Sequence, residues 1–280
     1  MRNCLIIVNA YKDECMDYAE IVKQYLETRT IHCTTFLFSD ANHGCSFTGH
    51  DFCITIGGDG TVLFAARGCA PLGIPIFPIN FGHFGFIASI QKREWAKQLD
   101  SFLEGKTPCS SRSLVQADLY REDKLVRSLT GLNDMVISPK ESARLITLEL
   151  SFCDNPFGKF NADGIIVSTS TGSTAYSAAA GGPIIDPALP AMLLIPVSPF
   201  SLSNRPLVLP PQGKLKAVVQ PSRAQSVVLT ADGQISVDLQ VGDVIEFHLA
   251  KNKVLLAGCT SQHFYSALRS KLHWSGGNNA

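Results

Sequence analysis

Over the first hundred residues, short apolar runs alternate with amphipathic stretches; beyond that, short apolar runs follow one another with only turn signals between them. Residues 4–9, apolar through Val8, read as a buried strand. Residues 14–28 carry Met16, Ala19, Val22, Tyr25 and Leu26 at three-to-four spacing, which predicts an amphipathic helix. Residues 34–38 and 52–56 predict two further strands. Another is expected over 73–80, where Pro75 and Pro78 argue for an edge position or a distorted end. A helix over 93–103, ended by Gly105 and Pro108, closes this unit. Strands alternating with helices imply a parallel, Rossmann-like α/β sheet whose ligands lie at the C-terminal ends of its strands.

From residue 114 onward the pattern is strand after strand: 114–119, 125–129, 135–137, 145–152, 165–167, 192–197, 215–219, 227–229, 235–239 and 244–249. Turn signals such as Asp232-Gly233 and Gly242-Asp243 separate them, which predicts a β-rich, layered sandwich. The expected division is an α/β domain over 1–108, a β-rich nucleotide-binding domain over 109–255, and a tail over 256–280. Helical spacing at Phe264, Leu268 and Leu272 lets the tail dock back on the first domain, with residues 276–280 frayed. There is no internal repeat and no low-complexity linker.

Composition narrows the class. The chain has 280 residues, 45% hydrophobic and 17% charged, which excludes a disordered chain. Basic and acidic residues both number 24, so bulk charge gives no support for nucleic-acid binding. No segment approaches the roughly 18 uninterrupted apolar residues of a membrane span. The nine cysteines are odd in number, show no CxxC pair and sit mostly in apolar runs. They read as reduced thiols in a cytoplasmic protein, with no metal framework.

Two glycine-containing stretches carry candidate chemistry. Gly57-Gly58-Asp59-Gly60-Thr61 follows the strand at 52–56 and precedes the helical run 61–67. A glycine loop at a helix N-terminus offers free amides to phosphate. A carboxylate there does not help to hold phosphate; it makes sense if a hydroxyl is deprotonated or a metal held beside it. The alternative is a plain strand-to-helix turn that uses Asp-Gly for its turn chemistry. The second stretch, residues 163–176, runs from a strand into six Ser/Thr within the seven residues from Ser168 to Thr174, then Tyr176 and a run of alanines. Capping explains one or two hydroxyls. A nucleotide explains the set, with hydroxyls and amides for ribose and phosphate and an aromatic face for the base.

Asn133-Asp134 could read an adenine edge and ribose hydroxyls, or be a turn pair. Arg144 reads as a surface charge or a partner for a phosphate, and His83 equally as a packed histidine or a ligand. There is no Walker A pattern, and Leu63 falls where a dinucleotide GxGxxG would need its last glycine.

Gly57-Gly58-Asp59-Gly60, residues 81–86, Leu132-Asn133-Asp134, residues 163–176, residues 201–208 and Asp232-Gly233-Gln234 occur in the order seen in NAD kinases, and similarity extends to Lys271-Leu272-His273-Trp274. The chain therefore resembles that family over most of its length. The glycine loop is shared with diacylglycerol-kinase-like lipid kinases and phosphofructokinases, whereas Thr171-Gly172-Ser173-Thr174-Ala175-Tyr176 is the specific element. The resemblance implies nucleotide bound in a cleft between an α/β and a β-rich domain, a homodimer or homotetramer, and phosphorylation of NAD to NADP with ATP and Mg²⁺ or another divalent cation. By position it implies Asp59 as general base beside Gly57, Gly58 and Gly60. It implies nucleotide contacts from Phe86, Asn133, Asp134, Thr174, Ala175, Tyr176, Ser177, Ala178 and Ala179, and binding positions at Arg144, Asp163 and Gln234.

Three positions depart from the family pattern. Asp134 stands for the usual Glu. Ser170 stands for the usual Pro, which should loosen the turn. Asn161 stands for a frequent basic residue and puts a phosphate contact there in doubt. The competing readings are a lipid kinase, which predicts membrane affinity, and a non-catalytic NAD(P)-binding sensor, which leaves Asp59 without a purpose.

Overall fold

The computed structural model describes residues 2–39, 44–82, 85–141, 144–201 and 203–274. His83, Phe84 and the glycine-rich end of the tail lie outside the described residues. The chain forms two compact units, one of residues 1–112 with 252–280, the other of residues 113–251.

The first unit runs β1 (Asn3–Asn9), α1 (Asp13–Glu27), β2 (His32–Phe38), β3 (Phe52–Gly57), α2 (Asp59–Cys69), β4 (Ile76–Asn80), β5 (Ile90–Gln91) and α3 (Trp95–Leu103). Its strands pair in parallel in the order β2-β1-β3-β4, with β5 added on β4. Strand β3 is buried along its whole length, as expected where helices cover both faces. On one face, Cys15, Ala19, Val22 and Leu26 of α1 and Trp95 and Leu99 of α3 pack on Ile6, Ile54 and Ile79. Because the strands are parallel, Asn9, Gly57 and Asn80 all end on one rim.

Strand β4 is interior, not the edge strand its prolines suggest. The Phe81 amide donates to Gly57 O and the Cys53 amide to Pro75 O. The odd-numbered residues of β4 therefore turn their amides to β3, and Pro78 lacks only an amide on the opposite side. That side is paired at Ile76 and again at Ile79 and Asn80, so Pro78 falls in the gap between.

The second unit contains most of β6 (Cys109–Arg121), β7 (Lys124–Gly131), β8 (Asp134–Pro139), β9 (Ile146–Phe152), β10 (Asn155–Ala162), β11 (Gly164–Thr169), a 3-10 turn (Thr171–Thr174) and α4 (Tyr176–Ala179). It continues with β12 (Met192–Val197), β13 (Leu207–Leu209), β14 (Leu215–Gln220), β15 (Val227–Ala231), β16 (Ile235–Leu239) and the first part of β17 (Val244–Ala257), whose end from residue 252 belongs to the first unit. One antiparallel layer is β10-β9-β14-β17 with the β6–β7 hairpin; the other is β13-β12-β11-β8-β15-β16. Alternate residues such as Ile146, Leu148 and Leu150 face Met135, Ile137, Ile165 and Val167 across the sandwich core. The second face of β11 and β12 is covered by Ile185 and Ala191 from the segment after α4.

Strands β10 and β13 were not legible in the apolar pattern. Strand β10 is exposed except at its end, so it carries no apolar alternation, and it is paired through the tight turn at Cys153 and Asp154, both at positive φ. After β17 the chain forms α5 (Ser261–Leu272), which belongs to the first unit. Among the described residues, no helix is long and apolar enough to cross a membrane, and all nine cysteines are free thiols.

Candidate functional site

In the first unit the glycine loop is formed by the end of β3 and the start of α2. The helix begins at Asp59, two residues earlier than its apolar pattern suggests, with Gly58 as N-cap. Gly57 is buried against Thr61 and Asn9, where a Cβ would overlap Thr61 Oγ1. Gly60 is exposed.

The Asp59 carboxylate is not left to solvent. Its Oδ2 accepts from the Phe86 amide at 3.1 Å, and its Oδ1 accepts from the amides of Ile87 at 3.3 Å and Ala88 at 2.8 Å. Gly85 makes this shelf possible, because a Cβ there would collide with Asp59 Oδ1. Phe86 thus meets Asp59 through its backbone. The carboxylate is fixed in direction while Oδ2 keeps a lone pair for a further donor.

In the second unit the organising group is one that sequence reasoning left out of the site, Asp232. Its carboxylate accepts from the amides of Leu132 at 2.9 Å, Asn133 at 2.8 Å and Asp134 at 3.2 Å, and its own amide donates to Asp134 O at 2.9 Å. Asp232 and Gly233 both adopt positive φ in the loop between β15 and β16. The signal was present, as an Asp-Gly turn pair after a strand and within the motif Asp232-Gly233-Gln234, but from that motif only Gln234 was expected at the site.

Asn133, Asp134, Ala175, Tyr176, Thr230 and Asp232 bound a cavity of about 460 Å³. Tyr176 is half-exposed, which leaves its ring free to cover a planar ligand. The buried Asn133 Oδ1 has no hydrogen-bond partner among the described residues.

Asp134 is 5% exposed, and its carboxyl is pushed up to about 7, by burial first and by the Asp232 charge second. The folded chain therefore holds a proton that the unfolded chain has released once pH passes about 4. The stabilisation from that proton is complete at low pH and is lost as pH rises through about 7. Asp134→Asn removes this titration, so its stability relative to the parent should rise between pH 5.5 and 8.5 by roughly 2 kcal/mol, nearly all of it below pH 7.5. Urea unfolding at the two pH values checks this; equal pH slopes for the two proteins would count against it.

The hydroxyl-rich turn has a different purpose from the one its composition suggests. Ser168 Oγ donates to Asn133 O, Thr169 Oγ1 to Leu132 O, Ser170 Oγ to Leu189 O, Ser173 Oγ to Ser170 O and Thr174 Oγ1 to Thr171 O. Five of the six hydroxyls therefore bind backbone carbonyls of this unit, and only Thr171 Oγ1 has no hydrogen-bond partner among the described residues. The bonds staple the turn to Leu132 and Asn133, and Gly172 lies so close to Asn133 O that a Cβ would overlap it. Ser170 does not loosen the turn, because its hydroxyl ties it to Leu189. Polar density here builds the wall of the cavity more than it lines it.

Other expected site residues fall away from this cavity. Ser177 is buried, and Ala178 and Ala179 follow on α4 without lining it. Gln234 is half-buried beyond Gly233. Ser168 pairs with Asp134 and Ile165 with Ile137 on antiparallel strands, so Asp163 lies at the far end of β11 from Asp134, toward Ser138, which also lines the cavity, but is not itself among the lining residues. Asp163 and Arg144 are both exposed. Asn161 is exposed too, and accepts from Thr147 Oγ1 at 2.8 Å.

Residues 132–258 match the ATP-NAD kinase C-terminal domain and residues 45–107 the ATP-NAD kinase N-terminal domain. An NAD kinase of Treponema denticola is 45% identical over 280 residues, covering 100% of this chain and 99% of the relative. The chain belongs to the NAD kinase family. The fold is likewise that of the family. An NAD kinase from Archaeoglobus fulgidus, solved in complex with ATP, superposes with a TM-score of 0.77 at 24% identity, covering 98% of this chain and 99% of that one. Yeast NADH kinase, solved with NADH, superposes with a TM-score of 0.82 at 23% identity, covering 100% and 89%. The family is one of phosphotransferases, so the chain is an enzyme of that class.

Proposed function

We propose that this chain transfers the γ-phosphoryl group of ATP to the 2′-hydroxyl of the adenosine ribose of NAD, giving NADP and ADP. The observation that carries the assignment of roles is the shelf that fixes Asp59 at the end of β3. A carboxylate held by three amides, with a lone pair to spare, is placed to accept one more donor in a defined direction. That donor is the 2′-hydroxyl. As its oxygen bonds to the γ-phosphorus and the bridge to the β-phosphate breaks, its proton passes to Asp59. Phosphoryl transfer has a loose transition state, so the carboxylate contributes more by orientation than by base strength.

The glycine loop lies at the N-terminus of α2, whose positive dipole end favours the transferring phosphoryl oxygens. The cavity in the second unit holds the nucleotide, with Tyr176 on the base and the Asn133 and Asp134 side chains on polar edges.

A divalent cation fits this arrangement only as a companion of the triphosphate. Among the described residues, no three His, Cys, Asp or Glu side chains cluster to hold a metal. Magnesium commonly uses one or two carboxylates with substrate phosphates, and Asp59 is the carboxylate at hand. When bound, the cation spreads the charge of the phosphates.

The test is direct: NAD, ATP and Mg²⁺ are incubated with the protein and NADP is measured by a coupled dehydrogenase. NADP should appear in proportion to enzyme. Tight NADP binding with no turnover would instead favour a nucleotide sensor.

A further inference from the structure

The peptide groups that hold Asp59 are themselves held from behind. The Phe86 amide shares a peptide plane with the Gly85 carbonyl, and the Ala88 amide shares one with the Ile87 carbonyl. His263 Nε2 lies 3.2 Å from Gly85 O, and Cys259 Sγ donates to Ile87 O at 3.0 Å. Each plane thus takes a hydrogen bond at its oxygen and gives one from its nitrogen to Asp59. A bond accepted at a carbonyl draws electron density through the conjugated amide, which makes the N–H a stronger donor.

Both outer groups are suited to donate. Cys259 is 1% exposed, and burial pushes its thiol up to about 11, so its hydrogen stays in place. Burial pushes the half-buried His263 imidazole down, so the ring is neutral and donates to Gly85 in its Nε2–H tautomer. Other contacts fix the arrangement. The Arg112 guanidinium donates to Cys259 O at 3.0 Å, the Phe264 ring lies 6.2 Å from the Phe86 ring, and Lys271 Nζ lies 5.3 Å above Phe86.

We propose that His263 and Cys259 are positioning residues for phosphoryl transfer, acting on Asp59 through the peptide planes 85–86 and 87–88. This rests on the reading of Asp59 given above. The role makes a prediction that packing alone does not. Each side chain should matter as a hydrogen-bond donor, and only while Asp59 is present.

The experiment measures NADP formation by the full chain with His263→Leu, His263→Gln, Cys259→Ala and Cys259→Ser, each also combined with Asp59→Asn, and records thermal unfolding for all. His263→Leu should lower kcat about tenfold with KM for NAD and ATP within about twofold, and His263→Gln should recover most of the loss. Cys259→Ser should exceed Cys259→Ala in the same way. In the Asp59→Asn background none of the four should have a further effect.

A His263→Leu enzyme with unchanged kcat, or one slowed by the same factor in both backgrounds, overturns the proposal. If His263→Leu does not fold, the Cys259 pair decides by the same criteria. Full activity in Asp59→Asn alone would instead remove the functional reading on which the proposal stands.

Discussion

Asp59→Asn should leave a folded protein that makes NADP at about a thousandth of the parent rate or less. The substitution changes one heavy atom, but two consequences follow from the geometry. The hydroxyl loses its proton acceptor, and the new NH₂ group is placed against an amide that previously donated to a carboxylate oxygen. Either carboxamide orientation sets donor against donor, so the side chain turns away from the shelf and its orienting role is lost as well. NAD binding should change only a few-fold, because the cavity at Asn133 and Tyr176 is built from other elements. Initial rates beside NAD titration by calorimetry check both halves. Near-parental turnover would remove Asp59 from the reaction.

Asp232→Ala should be the most damaging single change in the second unit. Three amides, those of Leu132, Asn133 and Asp134, lose a charged acceptor in a region where Leu132 and Asp134 are buried. With each such bond worth about 1–3 kcal/mol, the loss is about 3–5 kcal/mol, a large part of an ordinary domain's stability. Relief of the charge beside Asp134 offsets a fraction of it. NAD affinity should fall by about two orders of magnitude or more, since the same bonds set the wall that carries Asn133 and Asp134. Asp232→Asn keeps one acceptor oxygen and should lie between. Urea midpoints for the three proteins test the order; an alanine variant as stable as the parent would show that the amides find other partners.

The parts of the fold legible in the sequence were those whose burial writes a period into the chain. Strand β3 is buried on both faces and reads as an unbroken apolar run; β9 shows Ile146, Leu148 and Leu150 at every second place. Strand β10, exposed and carrying Pro156 and Gly158, has no such period because it buries almost nothing. Strand β4 misled for a different reason. Pro78 removes an amide that no strand needed at that position, a fact of pairing that depends on residues far along the chain.

At the site, the family motifs named Asp59, Asn133, Asp134 and Tyr176, and the structure gives each a defined setting. The motifs did not separate ligand-facing groups from scaffolding. The hydroxyls of residues 168–174 turn inward to carbonyls, and Asp232, read as a turn residue, gathers three amides. A pattern of residue types reports capacity for hydrogen bonds; which atoms use that capacity is decided only when the loop closes.

The first unit is discontinuous in sequence, and that has a consequence for its birth on the ribosome. Asp59 and its shelf are translated early, yet the imidazole that meets Gly85 lies 178 residues further along. The whole second unit is synthesised in between. A nascent chain that has produced β1 to α3 therefore has Asp59 and its amides in hand but not Cys259 and His263 behind them. Products of premature termination within the second unit carry the glycine motif intact and still lack a finished shelf. The bracing contacts of Asp59 therefore form only after the second unit has been synthesised, with Cys259 and α5.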